Sequence, residues 1–215
     1  QTHKDLKTFT VGVPEAGLNE GPKAKQIAEF LGTSHTEITC DLHEALQVIP
    51  LLPTIYDEPF ADSSAIPTYL VAKHAASSVK VALSADGGDE LFAGYNRHLY
   101  YSRIPNAVRH LPSWVGASIA NSIGAVGLSG LKAQRVQKFA RLLSDFSVES
   151  YMHAMTTSMS NDQLNKRINQ RNIPDKLPFY NAGSPLAMML LNDSINYLPN
   201  DILHKVDRAT MAVGL

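Results

Sequence analysis

Residues 79–94 read VKVALSADGGDELFAG, and this stretch decides the fold that the sequence predicts. Its first six residues are almost wholly apolar, which is typical of a strand buried in a parallel sheet. In open α/β sheets, ligands bind where the carboxyl ends of the strands meet. We therefore expect a buried strand over residues 79–84 and a ligand-binding loop over residues 84–94.

The loop combines glycines with several acids. Gly87 and Gly88 allow a tight turn and a close approach of the backbone to a ligand, and a helix that follows them would offer free N–H groups. The carboxylates of Asp86, Asp89 and Glu90 would repel a phosphate unless a Mg²⁺ ion lies between the carboxylates and the phosphate. The Lys-Ser/Thr pair of a Walker loop does not follow the glycines. The alternative is purely structural, because acids in the first turn of a helix also stabilise it.

The segments before this loop alternate between strand and helix. Residues 7–13 and 35–38 have the composition of strands. Residues 19–31 between them predict a helix that ends at Gly32. Three apolar residues share one face of this helix: Ile27, Phe30 and Leu31. Strands that alternate with helices indicate an α/β fold with a parallel sheet.

Two further helix starts are predicted before residue 79. Asp41 is placed to cap a helix that runs into Pro50. Ser63 and Ser64 are placed to cap another, and Pro67 is tolerated in its first turn. The α/β pattern then ends near Tyr95.

The rest of the chain predicts helices and no convincing strand. The predicted helices are residues 108–120, 136–143, 151–159, 161–168 and 184–198. We therefore divide the chain into an α/β part, residues 1–95, and a helical part of the same domain, residues 96–215. Residues 111–131 carry no charge, but their Pro112, Asn121, glycines and serines favour packed small-residue helices over a membrane span.

Composition excludes several classes of protein. The 215 residues are 44% hydrophobic, so a disordered chain is excluded, and their formal net charge of −1 argues against nucleic acid or an anionic membrane as partner. Cys40 is the single cysteine, which excludes a disulfide scaffold and favours the cytoplasm. The first ten residues have no apolar core, so we expect no signal peptide. Because no Met begins the chain, we expect an excerpt of a longer protein.

A second polar cluster occupies residues 56–67, which read YDEPFADSSAIP. Its acids and hydroxyls are Asp57, Glu58, Asp62, Ser63 and Ser64. Two hydroxyls at a helix start could hold a substrate carboxylate. The alternative is a capped helix whose preceding loop Pro59 fixes.

A third cluster occupies residues 198–211, which read LPNDILHKVDRATM. Lys205 and Arg208 are three residues apart and could both bind an anionic phosphate. The alternative is a solvated charged face, in which Asp201 and Lys205 form an i,i+4 pair. The eight histidines show no zinc-binding spacing, and we expect Cys40 to be a buried small residue rather than a nucleophile.

Five segments together resemble the synthetase half of glutamine-hydrolysing asparagine synthetases. They are FTVGVPE (9–15), NEGPKAKQIAEFLGTSHTEI (19–38), DEPFADSSAIPTYL (57–70), VALSADGGDELFAGYNRH (81–98) and LPNDILHKVDRATMAVGL (198–215). The segments follow the family's order along nearly the whole chain. The stretch between Tyr101 and Pro185 adds only compatible helix content.

The resemblance implies a fold and a reaction. The fold is the Rossmann-like sheet of the PP-loop ATP pyrophosphatases, which are adenine nucleotide alpha hydrolase-like. The implied substrate and metal are ATP and Mg²⁺. The family transfers AMP from ATP to the side-chain carboxylate of aspartate and releases pyrophosphate. Ammonia then attacks the β-aspartyl-AMP, giving asparagine and AMP.

The resemblance also implies a nucleotide-binding set. Val11 matches a position that contacts adenine. Ser84 and Ala85 match the nucleotide-contacting start of the acidic loop, where the family often has glycine in place of Ala85. Gly87 and Gly88 complete this set.

The resemblance also implies roles for two acids of the loop and for two serines of the second cluster. Asp86 matches the acid tied to formation of the acyl-adenylate, and Asp89 matches the aspartate that binds Mg²⁺ and pyrophosphate. Ser63 and Ser64 lie in a segment that resembles the aspartate-binding wall.

The KVDR segment supplies the other catalytic residues that the resemblance implies. We place Lys205 and Arg208 in the catalytic set with Asp86. Individual roles for Lys205, Asp207 and Arg208 are not assigned by the resemblance.

The implied partners are small molecules and one further domain. A glutaminase domain upstream in the parent chain would supply ammonia from glutamine, and a homodimer is compatible with the family. The family's Ser-Gly-Gly-x-Asp-Ser pyrophosphate loop and its downstream catalytic lysine have no match here, so we expect this chain alone to be inactive. The alternatives are a related amide-forming adenylating enzyme, of the β-lactam synthetase or lasso-peptide cyclase type, and a non-catalytic module of the same fold.

Overall fold

A computed structural model describes residues 6–12, 19–109, 111–125, 142–143, 145–157 and 178–215. Two strands, β1 (Lys7–Gly12) and β2 (Ser34–Thr39), run parallel, with Val11 opposite Ile38. The helix α1 (Gly21–Leu31) connects them. This β-α-β arrangement confirms the predicted α/β class with a parallel sheet, and two strands are the extent of that sheet in the described residues.

Helices make up most of the remaining described structure. They are α2 (Leu42–Val48), α3 (Leu52–Tyr56), α4 (Ala65–Ala76), α5 (Gly88–Phe92), α6 (Asn96–Arg103), α7 (Asn106–Arg109), α8 (Ser113–Ala125), α9 (Val148–Thr156), α10 (Pro185–Asn192) and α11 (His204–Met211). A short 3₁₀ turn, Ile49–Leu51, joins α2 to α3, and a π-helical segment, Asp193–Leu203, joins α10 to α11.

The chain folds as two compact units. The first unit comprises Gln1–Asp86 and Pro199–Leu215, and the second comprises Gly87–Leu198. The first unit is therefore discontinuous in sequence. The sequence-based division at residue 95 follows secondary-structure type rather than packing, and it stays a prediction.

Each unit has its own small core. In the first unit, Ile55, Tyr56 and Ala65 are buried together, and Phe60 stacks on the ring of Tyr56. Helix α4 packs against β1 and α11. In the second unit, the core cluster is Tyr101, Leu142, Tyr151, Met152 and Met189.

The predicted buried strand over residues 79–84 is wrong. The described backbone forms no strand there, and the side chains of Val81 and Leu83 are 80% and 99% exposed. A strand needs a hydrogen-bonded neighbour, and none of the described residues provides one beside this segment. The segment is apolar, but an apolar segment is buried only where another part of the protein covers it.

The apolar face of α1 is also exposed. Ile27, Phe30 and Leu31 lie on the outside of the first unit, with Phe30 89% exposed. The end of the helix is as predicted, because Gly32 adopts the left-handed conformation, with φ of 69°, that glycine tolerates best.

Of the two predicted helix caps, the one at Asp41 is confirmed and the one at Ser64 is wrong. Asp41 caps α2 by accepting a hydrogen bond from the Glu44 N–H at 2.7 Å. Ser64 stands at the N-cap of α4, but its hydroxyl caps no backbone N–H. That hydroxyl is engaged by two charged side chains instead. Pro67 lies in the first turn, as predicted.

The later helices differ from their predicted bounds. The predicted helix over residues 108–120 is two helices, α7 and α8, with Pro112 directly before α8. The predicted helix over 151–159 is α9, and the one over 184–198 is α10 followed by the π-helical segment. The predicted helix over 161–168 and most of the one over 136–143 lie outside the described residues. Within the described ranges, every helix is too short or too polar to cross a bilayer.

Candidate active site

The acidic stretch belongs to both units, and its first part lies in the first unit. Ser84, Ala85 and Asp86 are exposed. The Ser84 hydroxyl donates a hydrogen bond to Asp86 Oδ2 at 2.5 Å. Because a serine has one O–H, this bond commits its proton and leaves only oxygen lone pairs for another partner. The carboxylate of Asp86 is thereby held by its own chain and stays open to solvent.

The two glycines that follow, Gly87 and Gly88, differ in whether the fold requires a glycine at that position. Gly87 has a φ of 94°, a conformation that suits glycine, and it begins the short helix α5 as its N-cap. Gly88 has open space around the position of a Cβ atom and no positive φ. The predicted tight turn is therefore confirmed at Gly87, while Gly88 is not needed for the fold.

Asp89 and Glu90 are adjacent in α5 but differ completely in environment. The carboxylate of Asp89 is exposed and could bind a ligand. Glu90 is buried and accepts a hydrogen bond from the Tyr95 hydroxyl. Burial, followed by the hydrogen bond and charge of Glu90, raises the pKa of Tyr95. Glu90 is therefore a structural residue, and Asp89 is the acid of α5 that is available for chemistry.

Lys205 is buried rather than solvated. Its side chain is 9% exposed, and its Nζ lies 2.7 Å from Asp62 Oδ2 and 2.6 Å from Ser64 Oγ. Ser64 in turn donates its hydroxyl proton to Asp62 Oδ2 at 2.7 Å. This network corrects the sequence-based alternative of a solvated face, because it fixes α11 to the loop before α4.

The protonation properties of the network follow from its charges. Burial alone would raise the pKa of Asp62, but the hydrogen bonds from Lys205 and Ser64 outweigh burial and hold the pKa below its usual value. Burial and the charge of Asp62 raise the pKa of Tyr56 to about 12. Asp62 is thus an anion and Tyr56 a neutral phenol at neutral pH.

Arg208 is the more accessible cation of the KVDR segment. Its side chain is 39% exposed, and its Nη1 atom lies 3.2 Å from Asp57 Oδ2. A guanidinium has five N–H donors, so this contact leaves several for an anion. Of the two predicted catalytic cations, Arg208 therefore has the geometry to bind a ligand, and Lys205 is held within the protein.

The two predicted substrate-binding serines also differ. Ser63 is exposed, and Ser64 is part of the Lys205–Asp62 network. The Ser64 hydroxyl has no proton left for a substrate carboxylate, because Asp62 accepts it. Ser63 is therefore the more accessible of the two serines, and its substrate-binding role stays a prediction, while Ser64 contacts Asp62 and Lys205.

Val11 lies at the carboxyl end of β1, as the sequence predicts. It is half-buried and pairs with Ile38 across the sheet. The next residue, Gly12, is buried, and a Cβ atom there would lie 3.1 Å from Glu37 Oε1. The end of β1 is thus closely packed, and the adenine contact of Val11 stays a prediction.

Metal binding is tested by the donor atoms present. The described residues bring no group of three His, Cys, Asp or Glu side chains together. Mg²⁺ does not need one, since it is often held by one or two carboxylates together with substrate phosphates. The exposed Asp89 carboxylate, an oxygen donor, fits a Mg²⁺ ion that a nucleotide or pyrophosphate shares.

Cys40 is half-buried rather than fully buried. Burial, then the charges of Glu44 and Asp41, raise the pKa of its thiol. A raised pKa disfavours the thiolate, in agreement with the expectation that Cys40 is not a nucleophile.

Sequence reasoning missed two networks. In the first network, Asp62 pairs with Lys205 and Asp57 pairs with Arg208. The sequence does offer a signal for it, because the acids cluster in residues 56–67 and the bases in residues 198–211. The second network, in the second unit, gave no such signal. Its buried Asp193 accepts from His98 Nε2 at 2.8 Å and forms an ion pair with Arg97 at 2.9 Å.

Comparison with known proteins yields a consistent set of similarities. The family model described as asparagine synthase matches residues 1–215. The chain is 31% identical to asparagine synthetase [glutamine-hydrolyzing] 1 of Bacillus subtilis, over 99% of this chain and 34% of that protein. It is 31% identical to a putative asparagine synthetase of Methanocaldococcus jannaschii, over 96% of this chain and 40% of that protein.

A shorter similarity covers about half of the chain. Asparagine synthetase B of Escherichia coli is 37% identical over 47% of this chain and 18% of that protein. No solved structure matches the chain. The chain thus spans between about a third and two fifths of the length of the curated Bacillus subtilis and Methanocaldococcus jannaschii relatives.

Proposed function

Because the chain belongs to the asparagine synthase family, as a part of the synthetase domain, we propose that it forms the ATP-dependent half of an enzyme that makes asparagine from aspartate. The observation that carries this proposal is the match of one family model to the whole chain, which includes the acidic loop, the serine loop and the KVDR segment. The reaction consumes ATP and gives AMP and pyrophosphate.

The first step is adenylation of a carboxylate. An oxygen of the aspartate side chain attacks the α-phosphorus of ATP, and the bond to the departing pyrophosphate breaks. The protein must position two anions and neutralise the leaving group. Asp89 would hold Mg²⁺, which lowers the negative charge of pyrophosphate when bound.

The residues of the first unit have the chemistry for the other requirements. Val11 would contact the adenine, and Ser84 and Ala85 would contact the nucleotide. Arg208 has free N–H donors for an anion. Ser63 would donate a hydrogen bond to the aspartate.

The second step releases AMP. Ammonia attacks the acyl carbon of β-aspartyl-AMP, the C–O bond to AMP breaks, and the nitrogen loses a proton. Asp86 is exposed near the start of the acidic stretch, and we assign it to the first step, the formation of the acyl-adenylate. We place the ammonia source in a glutaminase domain of the longer protein and the whole enzyme in the cytoplasm.

The proposal includes a larger sheet than the described one. Residues 81–83 are apolar and exposed, β1 pairs only with β2 among the described strands, and Lys7 Nζ donates to Ser78 O at 3.2 Å. We propose that a further strand of the longer protein completes a Rossmann-like sheet beside this segment. The 215-residue chain alone would then be inactive.

Pyrophosphate release tests the function directly. The longer protein is incubated with MgATP in ammonium buffer, with and without L-aspartate, and pyrophosphate is measured. We expect release that depends on aspartate, and about a 100-fold loss in an Asp89→Ala variant. Glu29→Ala removes an exposed carboxylate of α1 and serves as the control.

Two results would contradict the proposal. Release that ignores aspartate would indicate another carboxylate substrate, as in the related amide-forming enzymes. No release at all would indicate a non-catalytic module. Asparagine measured in the same samples separates ammonia transfer from adenylation.

A further inference from the structure

The carboxylate of Asp89 occupies the space where a side chain of residue 94 would be. A Cβ atom built on Gly94 would overlap Asp89 Oδ1 and lie 2.8 Å from its Cγ and 3.1 Å from its Cα. A separation below 3.0 Å is one that real Cβ atoms essentially never show. The missing side chain of Gly94 is therefore what admits the carboxylate in its present orientation.

The backbone brings these two residues together at the end of α5. Ala93 adopts the left-handed conformation with a φ of 60°, and the Gly94 N–H donates to Asp89 O at 3.0 Å. This turn folds residue 94 back over residue 89. The contact is thus built into the end of the helix.

Glycine is required at position 94 for space and not for backbone conformation. The glycines with positive φ in the described chain are Gly32, Gly87 and Gly214, and Gly94 is not among them. An alanine could adopt the backbone of residue 94 without strain from φ. Its methyl group would meet Asp89 first.

The side chain that would yield is the carboxylate. Rotation about the broad χ2 torsion of Asp89 would move its oxygens but not Cγ, which lies 2.8 Å from the Cβ position. Cγ is placed by χ1, which has discrete staggered wells, so the carboxylate would have to change its χ1 rotamer. Mg²⁺ demands near-ideal octahedral geometry at about 2.0–2.1 Å from its ligands. A ligand in another rotamer cannot meet that requirement.

We propose that Gly94 is a positioning residue that sets the carboxylate of Asp89 for Mg²⁺ and pyrophosphate. The inference rests on the proposed function, because it takes Asp89 as the metal-binding acid. It adds a residue to which neither the sequence nor the family resemblance gave a role. It also gives Gly94 a reason distinct from that of Gly87, whose φ alone requires glycine.

Binding of magnesium pyrophosphate to the longer protein tests the proposal without catalysis. Titration calorimetry compares the unchanged protein with Gly94→Ala, Asp89→Ala and the double variant. We expect Gly94→Ala to weaken binding about 10-fold, and Asp89→Ala to weaken it at least as much. The double variant should bind no more weakly than Asp89→Ala, since no carboxylate remains to be displaced.

A matched substitution controls for the general effect of replacing glycine. Gly183 is an exposed glycine of the same unit, with open space around a Cβ position and no positive φ. Gly183→Ala should leave binding of magnesium pyrophosphate unchanged. Circular dichroism and thermal unfolding in the absence of metal report whether each variant is folded.

The outcomes separate the inference from the proposed function. If Asp89→Ala weakens binding and Gly94→Ala does not, the positioning role is overturned and the metal role of Asp89 stands. If Asp89→Ala changes nothing, the metal role fails and the inference fails with it. If Gly94→Ala does not fold, the double variant decides, because recovery of folding on removal of the carboxylate supports the contact and continued misfolding overturns it.

Discussion

Lys205 is predicted from sequence to be catalytic, but in the structure it forms a buried ion pair with Asp62. Lys205 stands in a segment that resembles a catalytic one, yet its ammonium is buried against Asp62 and Ser64. Removing one partner of a buried pair leaves an uncompensated charge, which is more costly than losing an exposed pair. Loss of Asp62 should therefore act first on stability.

We expect Asp62→Asn to lower the free energy of unfolding by about 1–3 kcal/mol at pH 7, because the amide oxygen keeps one acceptor but not the charge. The pKa of Asp62 is lower in the folded state, so its contribution is present above the unfolded pKa and is lost as the pH falls through the folded pKa. The difference between the two proteins should shrink below about pH 4. Chemical unfolding over a pH series measures it.

Asp57→Asn is the control for this experiment. It makes the same change in the same loop, but at an exposed ion pair with Arg208. Exposed pairs contribute about 0–1 kcal/mol, so the variant should differ little from the unchanged protein. A loss at Asp62 that persists undiminished at pH 3 would contradict the role given to its charge.

At the scale of elements, α11 is held by its contact with α4. Ala209 on α11 is fully buried, and the buried residues of α4 include Ala72 and Ala75. Helix α11 packs against α4, and the distance between two packed helices depends on the side chains at their contact. A large side chain on this face would have no space.

We expect Ala209→Leu to lower the free energy of unfolding by about 1–3 kcal/mol through overpacking. Ala212→Leu makes the same change at an exposed residue just beyond the helix and should cost less than about 0.5 kcal/mol. Thermal unfolding of both variants provides the comparison. Equal losses in the two variants would argue against tight packing between α4 and α11.

The sequence predicted those elements whose signals are local. Gly32 ends α1 and Asp41 begins α2, because each acts on backbone groups within a few residues. Ser64 failed as a cap because Asp62 and Lys205 engage its hydroxyl, and Lys205 is 141 residues away in sequence. A local pattern carries no information about such a partner.

In the candidate site, too, local features are predicted from sequence and features that depend on distant residues are not. The acids and serines were found because they cluster in sequence, but their accessibility depends on distant neighbours. Glu90 is buried and Asp89 exposed although the two are adjacent. The same reasoning explains the failure at residues 79–84, since an apolar segment becomes a buried strand only if another strand pairs with it.

At the scale of the whole molecule, the exposed Leu83 distinguishes the 215-residue chain from the longer protein that we propose. Leu83→Ser should change the free energy of unfolding of this chain by less than about 0.5 kcal/mol. In the longer protein, a covering strand would make the same change cost about 1–3 kcal/mol. Urea unfolding of both proteins measures the difference.

Leu70→Ser is the control, because Leu70 on α4 is already buried in the described structure. It should destabilise the short chain and the longer protein alike. Equal and negligible effects of Leu83→Ser in both proteins would contradict the larger sheet.

The discontinuity of the first unit has a consequence for synthesis on the ribosome. Lys205 follows Asp62 by 143 residues, and all of Gly87–Leu198 is made between the two parts of the first unit. At about 5–20 residues per second, this interval lasts roughly 7–30 s. During that time Asp62 has no lysine partner and α4 has no α11 to cover it. The first unit therefore cannot complete its fold until its last helix is synthesised. Until then, the surface of α4 that α11 later covers is accessible to chaperones.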